Sequence, residues 1–257
     1  MQPNAKETQG SVTLAGAGPG DADLLTLGTL KAIQSAQALL YDALVSEDIL
    51  ALAPQRCIKI CVGKRGDRLS VSQDKTNALM VRLARRGLHV VRLKGGDPSL
   101  FGRVEEERLH LDRNSIAHKT LAGVTAASAA AAQFEFPLTH RGEARSVMFM
   151  TARTLDGQTD VSAYAMAHAD TSLVFYMASH GAETVQNQLI AAGKLPKTCV
   201  CLVENAGREH ARAVITHLGD LAAAVARAQW DGPVLIGVGD AFRHARLPAH
   251  AQQQAFA

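Results

Sequence analysis

Short apolar runs alternate with helix-like patterns through the first half of the chain. Each run is four or five residues long and is bounded by turn-forming residues. This pattern is typical of strands that are buried on both faces of a parallel sheet. The predicted strands are Val12–Ala15, Ala38–Tyr41, Ile58–Val62 and Val90–Leu93.

Helical spacing of apolar residues fills the intervals between these runs. Leucine and isoleucine recur at helical intervals within Asp23–Ser35. A second helix is predicted to begin after Ser72, a favourable N-cap, and to end at Gly87, a residue type favoured just past a helix. Because strands and helices alternate in this order, the first half predicts a mainly parallel sheet with helices on both faces.

The second half begins with an alanine-rich helix and then has more strands per helix. The helices are predicted at Ala126–Ala132, near Ala182–Ala192 and near Asp220–Ala228. The strands are predicted at Val147–Met150, Leu173–Met177, Val200–Val203, Ala213–Thr216 and Val234–Val238. This ratio favours a mixed sheet. The sequence therefore predicts an α/β protein with a mainly parallel sheet in its first domain and a mixed sheet in its second.

The domain junction is predicted in the turn-rich segment Phe136–Arg145, which contains Pro137. The predicted domains are residues 11–137 and 138–246. We expect residues 1–10 and 247–257 to be flexible ends.

Composition and charge exclude several classes of function. Hydrophobic residues make up 47% and charged residues 20% of the 257 residues, as in an ordinary globular protein. A net charge of +3 is too small to indicate a nucleic-acid coat or a polybasic membrane anchor. The first ten residues lack a signal-peptide pattern, and apolar stretches such as Ser172–Ala178 are too short to cross a bilayer.

The four cysteines, Cys57, Cys61, Cys199 and Cys201, all fall in strand-like apolar segments. They have neither CxxC spacing nor histidines at the distances of a zinc site, so buried reduced thiols are expected and no metal. Reduced thiols indicate a reducing compartment, most simply the cytoplasm.

A glycine-rich loop, Gly16–Asp21, follows the first predicted strand and precedes a helix. Its glycines allow a sharp turn and a close approach to a ligand. A dinucleotide fingerprint would need glycine where Asp21 stands. The Asp21 carboxylate would repel a pyrophosphate, and Pro19 lacks an N–H donor, so the loop is a poor phosphate site.

A second such loop, Lys94–Pro98, closes the Val90–Leu93 strand. Ligands of parallel α/β sheets bind at the carboxyl ends of the strands, where this loop falls. Asp97 could accept a hydrogen bond from a ligand ammonium or a ribose hydroxyl. Alternatively, the segment is a tight turn in which Asp97 caps the next helix.

Seven motifs in order resemble the tetrapyrrole methylase family. They are GAGPGD (Gly16–Asp21), YDALVS (Tyr41–Ser46), VGKR (Val62–Arg65), VVRLKGGDP (Val90–Pro98) with FGR (Phe101–Arg103), PLTHR (Pro137–Arg141), LVFYM (Leu173–Met177) and VEN (Val203–Asn205). The resemblance extends from Val12 to Val238. YDALVS, VGKR and PLTHR together are most similar to the members that methylate uroporphyrinogen III.

The resemblance implies an S-adenosylmethionine-dependent C-methyltransferase that converts uroporphyrinogen III to precorrin-2 through precorrin-1. It further implies a homodimer with a donor cleft between the two domains. The implied donor-binding residues are Pro19, Gly95, Gly96, Asp97, Leu100, Thr125, Ala126, Met177 and Ala206. S-Adenosylmethionine carries no phosphate, so a loop with Pro19 and Asp21 is compatible with it. The residues alone would instead favour Met177 as a core residue.

By the same resemblance, Asp42 is the proton acceptor and Lys64 the proton donor of the reaction. Alternatively, each is a solvated charge at a strand end. The substrate is a polycarboxylate, which arginine can pair in bidentate fashion. We expect the substrate-binding arginines to be Arg65, Arg103 and Arg141.

The chain departs from the family pattern at Ala122, Val104, Gly142 and Arg153. These departures leave two other functions open. One is a methylase of the same fold that acts on a different substrate. The other is a donor-binding relative with weak or no turnover.

Overall fold

The computed structural model describes residues 10–63, 72–151, 170–178 and 181–247. The chain divides into two compact units, Met1–Thr125 and Ala126–Ala257. The second unit therefore begins earlier than the predicted junction at Pro137. The physical reason is that Phe134 and Phe136 are buried in an apolar cluster of the second unit, so the segment before the proline belongs to that core.

The first unit contains a parallel five-stranded sheet, as predicted. Its strands lie in the order β3-β2-β4-β1-β5, and each neighbouring pair is parallel. Their bounds are β1 (Ser11–Gly16), β2 (Ala38–Tyr41), β3 (Ile58–Cys61), β4 (His89–Lys94) and β5 (Ala117–Leu121).

Helices cover both faces of this sheet. They are α1 (Leu27–Gln34), α2 (Glu47–Ala51), α3 (Gln73–Arg85) and α4 (Val104–Arg113), with a short 3₁₀ helix at Ala22–Leu24. Val12 and Leu14 of β1 pack in one apolar cluster, whereas Ala15 packs in the other. Side chains of a strand point alternately to its two faces, so both faces of the sheet are apolar.

The second unit contains a mixed five-stranded sheet, also as predicted. Its order is β6-β7-β10-β8-β9; β6 and β7 are parallel, and the other neighbours are antiparallel. The elements are α5 (Ala126–Gln133), β6 (Ser146–Thr151), β7 (Thr171–Tyr176), α6 (Ala182–Ala191), β8 (Cys199–Glu204), β9 (Arg212–His217), α7 (Leu221–Arg227) and β10 (Val234–Val238). Short 3₁₀ helices lie at Leu218–Asp220 and Asp240–His244.

All four cysteines are free. Cys57 and Cys201 are buried as expected, whereas Cys61 and Cys199 are only half-buried. Burial raises the pKa of the Cys199 thiol to about 11, and it raises that of Cys201 further. These two thiols therefore stay protonated at neutral pH. Within the described ranges, no helix is both long and apolar enough to span a bilayer.

Candidate active site

The loops after β1 and β4 hydrogen-bond to each other at the carboxyl edge of the parallel sheet. The Gly18 N–H donates to the Gly96 carbonyl at 3.2 Å, and the Gly96 N–H donates to the Gly18 carbonyl at 2.7 Å. Both residues have left-handed backbone, with φ of 69° and 70°, which glycine adopts without strain. This pairing joins the loop that carries Pro19 to the loop that carries Gly95, two of the predicted donor-binding residues.

The loop after β5 packs against the same two loops through glycines. A Cβ on Gly123 would lie 2.2 Å from the Gly96 carbonyl oxygen, and one on Gly16 would lie 2.6 Å from the Gly123 Cα. Neither position has space for a side chain. Thr125, another predicted donor residue, closes this third loop at the end of the first unit. The fold thus brings three of the sequence-predicted segments together at one sheet edge.

The Asp97 carboxylate ties two of these loops together. Its Oδ2 accepts from the Gly123 N–H at 2.8 Å. Its Oδ1 accepts from the N–H of Ser99 at 2.8 Å and from the Ser99 hydroxyl. Although partial burial would raise the pKa of Asp97, the hydrogen bonds from Ser99 and Gly123 outweigh it and hold that pKa below its ordinary value.

The alternative that Asp97 caps the following helix is wrong, because Arg103 is the N-cap residue of α4. Asp97 instead stabilises the turn at Ser99 and the loop at Gly123. Its predicted contact with the donor stays a prediction.

The YDALVS segment lies against the glycine loops. The Ser46 hydroxyl donates to the Gly20 carbonyl at 2.7 Å. A Cβ on Gly95 would lie 3.5 Å from the Leu44 Cβ, an ordinary van der Waals contact. Asp42, the predicted proton acceptor, follows β2 directly and is therefore at the same edge as Gly95.

Asp42 is paired with a buried arginine that the sequence reasoning missed. The Arg92 Nη2 lies 2.5 Å from the Asp42 Oδ1. The Arg92 Nε lies 3.1 Å from the Glu107 Oε1, and the Lys94 Nζ lies 2.8 Å from the same oxygen. A signal was present: Arg92 and Lys94 interrupt an apolar strand, and charges inside such a strand require partners.

The predicted Lys64 and Arg65 lie outside the described residues. The preceding Gly63 is described, and a Cβ there would lie 2.2 Å from the Ala43 backbone nitrogen. The glycine of the VGKR motif is thus required by the close approach of the end of β3 to the backbone after Asp42.

Arg103, a predicted substrate-binding residue, follows a turn after Leu100. Phe101 and Arg103 both have left-handed backbone, with φ of 56° and 55°. Such values are uncommon outside glycine and concentrate at functional sites. The guanidinium donates to both oxygens of Glu106, at 2.7 and 2.6 Å, which raises the pKa of Arg103. A ligand carboxylate would have to share the Arg103 guanidinium with Glu106 or displace Glu106 from it. Glu106 is a second residue that the sequence did not indicate.

In the second unit, helix α5 contains the predicted donor residue Ala126 and contacts the segment that carries another, Met177. It begins at Ala126, and the Ala127 N–H donates to the Tyr176 hydroxyl at 3.2 Å. Tyr176 directly precedes Met177, which has a φ of 55° and is 58% exposed. The interpretation of Met177 as a core residue is therefore wrong. The predicted contact of Met177 with the donor stays a prediction.

Ala206, the last predicted donor residue, lies on the loop after β8. It belongs to the same apolar cluster as Ala126 and Ala127. The Gln133 side chain holds this loop, because it accepts from the Gly207 N–H at 2.9 Å and donates to the Arg208 carbonyl at 2.8 Å. Within the second unit, α5 therefore contacts the segments that carry both Met177 and Ala206.

Arg141 is exposed in a tight turn in which the His140 N–H donates to the Ala144 carbonyl at 2.9 Å. Gly142, one of the departures from the family pattern, has a φ of 87° in this turn. Glycine is well suited to that conformation.

Three side chains of this region, His140, Glu143 and His244, have ligand atoms within 4.8 Å of one another. Arg243 already pairs with the Glu143 carboxylate at 2.6 Å. The two imidazole rings are stacked, with centroids 4.6 Å apart. Because a cation coordinated by both rings would have to lie near both of their planes, this arrangement favours an ion-pair cluster over a metal site.

Comparison with protein families adds to this geometry. Residues 11–222 match the model of the Tetrapyrrole (Corrin/Porphyrin) Methylases. The chain is 45% identical over 236 residues to a siroheme synthase of Edwardsiella ictaluri, covering 90% of this chain and 50% of that protein. It is 40% identical over 242 residues to a siroheme synthase of Saccharophagus degradans, covering 94% and 53%. The chain thus spans about half the length of these curated relatives.

Solved structures share the fold over nearly the whole chain. Uroporphyrin-III C-methyltransferase from Thermus thermophilus, complexed with S-adenyl homocysteine, is 34% identical with a TM-score of 0.78 and covers 91% of this chain and 94% of that one. A cobalt precorrin-4 methyltransferase is 26% identical with a TM-score of 0.80 and covers 93% and 98%.

Proposed function

Because this chain belongs to the tetrapyrrole methylase family, we propose that it transfers methyl groups from S-adenosylmethionine to carbon atoms of uroporphyrinogen III. Two transfers, through precorrin-1, give precorrin-2. This places the protein in the siroheme and cobalamin branch of tetrapyrrole biosynthesis. A homodimer in the cytoplasm is part of the same proposal.

The observation that carries the proposal is the convergence of three glycine-containing loops at one edge of the first sheet. The mutual hydrogen bonds of Gly18 and Gly96 and the Asp97–Gly123 bond fix three loops there. Gly95 is exposed beside them, so a ligand can approach its backbone closely. This arrangement suits a donor without phosphate, since Pro19 and Asp21 do not have to accommodate one.

Each predicted donor residue has a defined part in this proposal. In the first unit, the donor is bound by Pro19, Gly95, Gly96, Asp97, Leu100 and Thr125. In the second unit, it is bound by Ala126, Met177 and Ala206. Met177 is exposed, and its side chain is a soft, adaptable surface for an apolar or sulfur-containing ligand.

The donor supplies an electrophilic methyl group, and the protein's own residues bind the substrate and move the proton. An electron-rich pyrrole carbon takes the methyl group, and the sulfonium becomes the neutral thioether S-adenosylhomocysteine. The methylated ring system then loses a proton, which Asp42 accepts at the carboxyl edge of the sheet. Lys64 is the proposed proton donor: its ammonium stabilises the tetrapyrrole or replaces a proton that the ring system loses beyond the one released in each transfer. Arg65, Arg103 and Arg141 pair with substrate carboxylates.

Mass analysis of the tetrapyrrole after anaerobic incubation with donor and uroporphyrinogen III tests this function. We expect singly and then doubly methylated product. Donor binding without methylated product would instead indicate a relative without turnover. Methylation of a later tetrapyrrole intermediate, but not of uroporphyrinogen III, would indicate a methylase of the same fold with another substrate.

A further inference from the structure

We propose that Arg92 is a positioning residue for the methyl-transfer reaction, and that it holds the Asp42 carboxylate at the sheet edge through a buried network of charges. The inference rests on the proposed function, because it concerns the part that Asp42 plays in that reaction.

Arg92 lies on β4, between β2 and β1 in the middle of the sheet, and is only 4% exposed. Its guanidinium donates in three directions: to Asp42 at 2.5 Å, to Glu107 at 3.1 Å and to the Leu93 carbonyl at 2.9 Å. The rigid, planar guanidinium donates from three separate nitrogens and so reaches three separate acceptors at once. A lysine at position 92 would carry all its donors on one nitrogen and could not reach the same three acceptors. The geometry therefore specifies arginine rather than any cation.

Glu107 anchors the network from helix α4. It is fully buried, and its Oε1 accepts from Arg92, from Lys94 at 2.8 Å and from the Gln73 amide at 3.1 Å. Two carboxylates and two cations pair the buried charges, as their burial requires, while the Glu107 Oε2 has no hydrogen-bond partner among the described residues. Rotation of Arg92 away from Asp42 would also break its bond to Glu107, so the guanidinium is held in place.

The surroundings of the network are poorly hydrated. Burial lowers the pKa of Lys94, and the charge of Arg92 lowers it further, while Glu107 and Asp42 oppose the shift. Interactions between charges are stronger in such an environment than in water. Arg92 therefore constrains its carboxylate partner more firmly than an exposed ion pair would.

The network runs from the core to the edge where the donor loops converge. The side chains of Arg92, Lys94 and Glu107 are at most 5% exposed, whereas that of Asp42 is 31% exposed. The member that reaches solvent is thus the proposed proton acceptor. A fixed carboxylate can remove a proton only from the position that it faces, so orientation by Arg92 contributes directly to turnover.

A double-mutant cycle on kcat tests this role. In the wild-type background, we expect Arg92→Gln to lower kcat by roughly tenfold, because orientation of the acceptor is lost. In the Asp42→Asn background, the same change should have less than about a twofold effect, because the residue that Arg92 positions is already disabled. Arg92→Lys should restore little of the lost kcat, since it keeps the positive charge but not the planar guanidinium.

The exposed Arg108, which pairs with Glu105 at 2.8 Å on α4, provides the matched control. Arg108→Gln should have the kcat of wild type.

Affinity for S-adenosylhomocysteine separates positioning from a merely structural role. We expect Arg92→Gln to leave this affinity within about twofold of wild type, since donor contacts are made elsewhere. Equal losses of kcat in both backgrounds, or a parallel loss of donor affinity, would overturn the inference.

Wild-type turnover is measured alongside the variants in each series, so failure of the inference and failure of the proposed function give different results. Absence of wild-type turnover would contradict the proposed function. The same four proteins of the cycle, compared by urea unfolding, would then show whether Asp42 and Arg92 are coupled, and additive effects there would overturn the inference as well.

Discussion

The Asp97 carboxylate accepts a hydrogen bond from the Gly123 backbone at 2.8 Å, and this bond joins the loop after β4 to the loop after β5. The two residues are far apart in sequence, and both loops carry residues that we propose to bind the methyl donor. The side chain of Asp97 therefore fixes the backbone of the proposed donor site, in addition to any contact of its own.

Asp97→Ala should weaken S-adenosylhomocysteine binding by about 1.5–3 kcal/mol, the typical contribution of a hydrogen bond to a charged group. Titration calorimetry measures this loss. Asp74→Ala, which alters an exposed aspartate in the first turn of α3, serves as the control and should bind as wild type does. Equal affinity in wild type and Asp97→Ala would remove the loop after β4 from the donor site.

Gly123→Ala should destabilise the first unit, because the added Cβ would lie 2.2 Å from a backbone oxygen. Overpacking of this kind typically costs about 1–3 kcal/mol. Gly28→Ala is the matched control: its Cβ would meet only ordinary contacts, the nearest at 3.8 Å, and alanine is favoured in a helix such as α1. Urea unfolding followed by circular dichroism compares the two. Similar curves for both variants would contradict the tight packing of the three loops.

Arg103→Gln and Arg141→Gln should raise the KM for uroporphyrinogen III and leave kcat and donor affinity nearly unchanged. Pairing with substrate carboxylates is expected to be equal in the ground and transition states, and the loss of such binding is seen in KM alone. Arg108→Gln controls for the loss of one positive charge. A fall in kcat at unchanged KM would assign these arginines to the chemical step instead.

Glu204 should make the second unit sensitive to acid. Burial alone would raise its pKa, but hydrogen bonds from Arg212 and from the Gly232 and Asp231 N–H groups lower it below the ordinary value. Because the folded pKa is depressed, the stabilisation is present above the ordinary glutamate pKa of about 4.3 and is lost as pH falls through the folded value.

Glu204→Gln should therefore flatten the acid limb of the stability–pH curve. The single tryptophan, Trp230, reports on this region, since the Arg212 guanidinium lies 4.8 Å from its ring centre. Urea unfolding followed by tryptophan fluorescence from pH 7 down to about pH 3 spans the glutamate range. Parallel curves for wild type and variant would show that Glu204 does not contribute this dependence.

Apolar runs and helix caps predicted most of the fold, because those signals are local. Strand β2 is a continuous apolar segment, and β4 is a buried, mostly apolar strand that Arg92 interrupts. Helix α3 begins after Ser72, whose side chain accepts from the Lys75 N–H, as its N-cap character predicted. Strand β5 was missed, since this edge strand is mostly exposed and its sequence AHKTL has little apolar pattern.

Helix α4 was missed for a similar reason, because its first turn holds Glu105, Glu106 and Glu107 and few apolar residues. The candidate site was predicted largely through motifs, and its loops do converge at one edge in the first unit. The partners of Asp42 could not be predicted, because Arg92 and Glu107 lie on different elements and only the fold brings them together. Arg92 and Lys94 in an otherwise apolar strand were local signs of that network.

Transfer of a deuterium-labelled methyl group from S-adenosylmethionine to uroporphyrinogen III tests the proposed function most directly. A time course analysed by mass spectrometry should show one labelled methyl group per tetrapyrrole first and two later, with one S-adenosylhomocysteine formed for each transfer. The departures at Gly142 and Arg153, of which Arg153 lies outside the described residues, predict a visible accumulation of the singly methylated product. Uroporphyrinogen III that remains unlabelled, in protein shown by calorimetry to bind S-adenosylhomocysteine, would contradict the proposed function.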